Sequence, residues 1–176
     1  MPRFHKSTVT AERTHQSTLG PLLAVAVEKL VGGPCYLLGT PMGGVHALYV
    51  GSLLPERVLG VVLEGSMAPA LPGEDLYPCA GGNPPTVDTR YRTRALVRPW
   101  ATAEFVGQQM ANRTRMFGFF DMEAADAIET IADHEIPVLA LLGADDEILR
   151  PTQEQRIRER IPHAEFHLVE GGAHDL

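Results

Sequence analysis

Three short stretches of the chain hold the residue types that could do chemistry, and their order is informative. The first is Leu37-Leu38-Gly39-Thr40-Pro41-Met42-Gly43-Gly44, a glycine-rich turn directly after an apolar run. The second is Leu141-Leu142-Gly143-Ala144-Asp145-Asp146-Glu147-Ile148, where carboxylates gather at the end of another apolar run. The third, Val169-Glu170-Gly171-Gly172-Ala173-His174, ends on a histidine. An imidazole and a carboxylate together can move a proton, and with further donors they can hold a metal. A glycine-rich turn can cradle phosphate. The metal reading lacks any motif spacing among Asp145, Asp146, Glu147 and His174, and Gly39–Gly44 lacks the Gly-Lys-Ser/Thr ending of a phosphate loop. Read alone, Asp146 is a capping or loop carboxylate and His174 a solvated terminal histidine. His163 and His167 are four apart but straddle a helix end and a strand, so they read as surface residues. Asn112-Arg113-Thr114 is a glycosylation acceptor by letter only.

The elements that must position these stretches alternate in type. Gly20–Leu30 predicts a helix, with Thr18 as cap, Pro21 in the first turn and Leu23, Val27 and Leu30 on one face. Cys35–Leu38 is a short apolar run of the kind found in buried parallel strands. Val45–Leu54 predicts a helix stopped by Pro55, and Leu59–Leu63 a second buried strand. From Ser66 to Thr102 the chain is rich in Pro and Gly and has no clear period, which reads as loop. Helices follow over Ala103–Met116 and Met122–His134, then a strand over Pro137–Gly143. Pro151–Ile161 predicts a charged surface helix, Glu165–Val169 a fourth strand, and Gly171–Leu176 a terminal loop. Strands alternating with helices imply βαβ units and an α/β fold with a parallel sheet of about four strands flanked by helices. Residues 1–176 form a single domain in this reading, with 66–121 a lid-like insertion.

Composition narrows the functional class. The chain has 176 residues, 44% hydrophobic and 21% charged, with a formal net charge of −7. That length suits one core. The negative charge argues against nucleic acid or an anionic membrane as the main partner, since both reward a basic face. Two cysteines, Cys35 and Cys79, are too few for a disulfide framework and read as incidental thiols. The segment Met1–Ser17 is polar and basic, unlike a signal peptide, and no apolar stretch is long enough to span a bilayer. The expectation is a cytoplasmic protein whose partner is a small molecule.

The order of the three stretches resembles that of the α/β-hydrolase family, in which a G-x-S-x-G nucleophile elbow is followed by an acid and then a histidine. The resemblance covers nearly the whole chain. It places Gly39 and Gly43 at the glycine positions of the elbow, Asp146 at the acid and His174 at the base. The family's chemistry is hydrolysis through a Ser–His–Asp triad, with no cofactor. The histidine takes the serine proton, the carboxylate orients the imidazole, and the backbone N–H after the nucleophile, here that of Met42, helps hold the oxyanion. A narrower resemblance comes from Pro2-Arg3-Phe4-His5-Lys6-Ser7, which is similar to the P-G-F-x-K-S segment of meta-cleavage product hydrolases. Those enzymes cleave a carbon–carbon bond in 2-hydroxy-6-oxo-dienoates formed in aromatic degradation. Their lid arginine falls nearest Arg113, while Asp175 stands where they usually carry a tryptophan. Ser66, after a strand end, is a candidate pocket-lining residue.

At position 41 the sequence departs from the family. Pro41 offers no hydroxyl and no thiol, and its ring fixes φ near −65° where the family nucleophile is strained. A one-residue shift points Thr40 elsewhere, so it is not a substitute. The family's upstream His-Gly oxyanion segment and its final helix have no counterpart in these residues. The expectation is therefore part of a longer or altered hydrolase, inactive as written. The alternatives are a pseudo-enzyme that binds a small apolar acid, and a module that dimerises through the bare edge of the Cys35–Leu38 strand.

Overall fold

The computed structural model describes residues 16–69, 102–105, 107, 124–146, 149, 152–174 and 176. Pro2–Ser7, Cys79, Arg113, Glu147, Asp175 and most of the 66–121 insertion lie outside the described residues. Of the helix expected over Ala103–Met116, residues 103–105 and 107 are described, and they are helical.

The elements run α1 (Gln16–Leu30), β1 (Cys35–Gly39), α2 (Gly43–Leu53), β2 (Val58–Glu64), α3 (Ala125–Asp133), β3 (Val138–Gly143), α4 (Thr152–Arg160) and β4 (Glu165–Val169). The strands form one parallel sheet in the order β1-β2-β3-β4. Each successive strand therefore lies beside the last, and each connection carries at least one helix. This is the α/β fold expected from the sequence.

Helix α1 corrects one expectation. It starts at Gln16, so Thr18 lies inside the helix and does not cap it, and Pro21 sits beyond the first turn. Proline at that depth deletes one backbone hydrogen bond, and the rest of the helix carries the cost. Arg57 closes the other end, its Nη2 donating to the carbonyls of Val31 at 2.6 Å and Gly33 at 3.2 Å. The Val31 carbonyl is one that the helix end leaves without a partner.

Helix α2 is the central helix. Gly44, Val45, Ala47, Leu48, Val50 and Gly51 are all buried, so it is apolar nearly all round. It packs against β1 and β2 beneath it and against α1 and α3 beside it. The main core joins Ala24 of α1, Leu48 of α2, Ile131 of α3 and Ile157 of α4 to Val61, Leu63, Val138 and Ala140 of the sheet. The alternate residues of β2 and β3 thus face one helical layer. Tyr36 and Leu38 of β1 are 69% and 62% exposed, so this apolar strand is not buried on both faces. Among the described residues β1 pairs only with β2 and its second face has no cover. No described helix is long and apolar enough to cross a membrane.

Candidate active site

All three stretches lie at the same end of the sheet, because parallel strands bring their C-terminal ends together. The first stretch leaves β1 through a tight turn. Gly43 N–H donates to the Thr40 carbonyl at 2.9 Å, closing a four-residue turn over Thr40-Pro41-Met42-Gly43. Met42 has φ −71° and ψ −27°. Proline is the favoured second residue of such a type I turn and glycine the favoured fourth. Position 41 is not strained: the only described non-glycine residue with positive φ is Glu135. Proline therefore suits this relaxed turn, and it brings neither a hydroxyl nor a thiol to position 41.

The glycines of the turn are not equivalent. A Cβ on Gly39 would collide with the backbone of Gly43 and Gly44, so strand and helix can approach only without one. A Cβ on Gly44 would collide with Ser66 Oγ. At Gly43 a Cβ meets nothing within 4 Å. Close packing requires glycine at 39 and 44, while position 43 has room for a side chain.

Ser66 is fully buried. Its hydroxyl donates to the Pro41 carbonyl at 2.7 Å and lies 3.1 Å from the Met67 carbonyl. Met67 N–H donates to the same Pro41 carbonyl at 3.3 Å. With no exposed surface, Ser66 braces the turn from within and does not line an open pocket.

The second and third stretches meet each other. His174 Nδ1 and Asp146 Oδ2 are 3.0 Å apart, and both residues are buried. Asp146 Oδ1 accepts the Leu149 N–H at 3.0 Å. Its neighbour Asp145 is exposed, with its N–H donated to the Gly172 carbonyl at 2.8 Å. In the turn after β3, closed by Asp146 N–H donating to the Gly143 carbonyl at 3.2 Å, Asp146 is buried and Asp145 exposed. Gly65 lies against the His174 carbonyl with φ +49°, a place where a Cβ would both clash and be strained. Sequence reasoning missed Gly65; the signal was a glycine placed directly after β2.

This arrangement can hold one imidazole in a fixed tautomer. With Nδ1–H donated to the carboxylate, Nε2 keeps its lone pair and can accept a proton. The pair is screened from water, so the interaction is stronger than at a surface.

The Alpha/beta hydrolase family model matches residues 7–176. Among curated proteins the chain is 23% identical over 175 residues to the biotin biosynthesis bifunctional protein BioHC of Cellvibrio japonicus (strain Ueda107). That match covers 88% of this chain and 34% of the relative, so the chain spans about a third of the relative's length. Among solved structures it is similar to a serine hydrolase from the polyaromatic hydrocarbon-degrading bacterium Cycloclasticus zankles. There the TM-score is 0.63 at 15% identity, over 97% of this chain and 69% of that one. It is also similar to a meta-cleavage product hydrolase from Pseudomonas fluorescens IP01. There the TM-score is 0.58 at 16% identity, over 98% of this chain and 67% of that one. At these identities the likeness establishes the fold. Similar structures also include a thioesterase domain and an N-acyl homoserine lactone degrading enzyme, so the likeness does not single out a substrate.

Proposed function

Because the chain belongs to the alpha/beta hydrolase family, we propose that His174 is its general base, Asp146 the acid that orients it, and Pro41 the occupant of its nucleophile position. On this reading the chain as written does not hydrolyse substrate. The observation that carries it is the buried contact of His174 Nδ1 with Asp146 Oδ2 at 3.0 Å. That contact leaves Nε2 as the atom to take a proton from a nucleophile. Position 41 has no proton to give and no side-chain oxygen to attack a carbonyl carbon, so the covalent step has no starting atom. The Met42 N–H follows the nucleophile position, where the family's oxyanion donor arises.

As the ancestral activity we infer hydrolysis of a carbon–carbon bond in 2-hydroxy-6-oxo-dienoate ring-cleavage products. The Pro2–Ser7 segment supports this substrate class. For the chain as written, the reading is binding of such an apolar organic acid without turnover, with Arg113 as the proposed carboxylate contact. Hydrolysis of this kind uses no cofactor.

Hydrolysis of p-nitrophenyl acetate tests the assignment. The native chain is expected to match buffer alone. Pro41→Ser is expected to gain at least about 10²-fold over it, and Pro41→Ser with His174→Ala to lose that gain. Turnover by the native chain that disappears on His174→Ala alone would overturn the reading. No gain in Pro41→Ser would mean that the turn does not bring residue 41 within reach of His174.

A further inference from the structure

Gln153 is a buried polar side chain on the first turn of α4, at 2% exposure. Its Oε1 accepts the Ala68 N–H at 2.9 Å, from a residue 85 positions away in the chain. Its own backbone N–H donates to the Leu149 carbonyl at 3.0 Å. Leu149 N–H in turn donates to Asp146 Oδ1, whose other oxygen faces His174 Nδ1. On the far side, the residues just before Ala68 hold the turn: Ser66 Oγ and Met67 N–H both donate to the Pro41 carbonyl. The far end of α4 grips the same segment through Arg160, which donates to the Pro69 carbonyl.

These contacts form a continuous path from the Pro41 turn to the Asp146–His174 pair, and the Gln153 side chain joins the segment after β2 to the first turn of α4, next to Leu149. A leucine of similar volume would fill the space but leave the Ala68 N–H without a partner, which buried backbone donors rarely tolerate. The requirement at 153 is therefore an acceptor oxygen, not bulk. We propose that Gln153 is a positioning residue: by tying the segment after β2 to the first turn of α4, it holds Leu149 and so fixes the orientation of the Asp146 carboxylate toward His174. The inference rests on the proposed reading of Asp146 and His174 as a working pair.

The test is proton NMR of the full chain, reading the low-field Nδ1–H resonance of His174 and the exchange rate of the Ala68 amide. Asp146→Asn is the control and is expected to abolish the His174 resonance. Gln153→Leu is expected to speed Ala68 exchange by at least about tenfold and to lose or broaden the His174 resonance. Gln153→Glu, which keeps an acceptor oxygen, is expected to restore both. If Gln153→Leu fails to give a dispersed spectrum, Gln153→Met replaces it, with the same expected result. Faster Ala68 exchange with an unchanged His174 resonance would overturn the proposal and make Gln153 merely structural. A His174 resonance that survives Asp146→Asn would instead overturn the reading of the pair itself.

Discussion

A histidine shielded from water is a choice between two protonation states, and His174 and His46 have different surroundings. His174 has a carboxylate on Nδ1. His46, in α2, has its pKa lowered from the ordinary 6.5, because burial disfavours the charged ring. An unfolded chain takes up this proton as the pH falls through the ordinary value, while the folded chain resists until a lower pH. The contribution is thus fully present above the unfolded pKa and is lost as the pH falls through the folded one. Urea unfolding at about pH 7.5 and about pH 5.5 checks this, with the native chain expected to lose more stability between the two than His46→Gln. Equal losses would show that the ring titrates alike folded and unfolded.

At the scale of elements, the turn between β1 and α2 governs the site. Helix and strand pack so closely there that Gly39 and Gly44 have no room for a side chain, while Gly43 faces open space. Gly44→Ala is expected to destabilise by about 1–3 kcal/mol, since the added methyl forces Ser66 off the Pro41 carbonyl. Gly43→Ala is expected to be neutral or stabilising by up to about 1 kcal/mol, because alanine loses less backbone entropy on entering a helix. Thermal unfolding of the two variants side by side reads the difference, and comparable losses would contradict the packing described. Helix α4 matters in another way. Its exposed side suits a short helix, with Glu154 in its first turn, Arg158 and Arg160 in its last, and a Glu154–Arg158 pair at 3.0 Å. Its buried side carries Gln153 and Ile157.

At the scale of the whole molecule, one sheet face is filled by helices and the other is open among the described residues, apolar at its β1 edge and carrying Glu64, Glu165 and His167 farther across. Tyr36 and Leu38 lie on β1, which carries no charged side chain and pairs on one edge only. An uncharged, exposed edge strand favours self-association, and an inserted lysine opposes it. Sedimentation velocity is expected to show association of the native chain that rises with concentration. Tyr36→Lys and Leu38→Lys are expected to shift it toward monomer. A native chain that stays monomeric across the concentration range would count against an adhesive edge.

The sequence alone determined the alternation of strands and helices, since apolar runs of five to seven residues bounded by glycine and proline have few other outcomes. The last strand was legible to the residue at Glu165–Val169. That position 41 carries no nucleophile was also legible, because proline has no hydroxyl or thiol in any fold. The start of α1 was not legible, because Pro21 looks like a helix beginning whenever only local rules are applied. Only the tertiary structure decided that Gly44 and not Gly43 is crowded, and that Ser66 braces the turn. It also decided that Gln153 joins two loops 85 residues apart. Each of these depends on what stands opposite a side chain across the fold, and spacing along the chain holds no record of that.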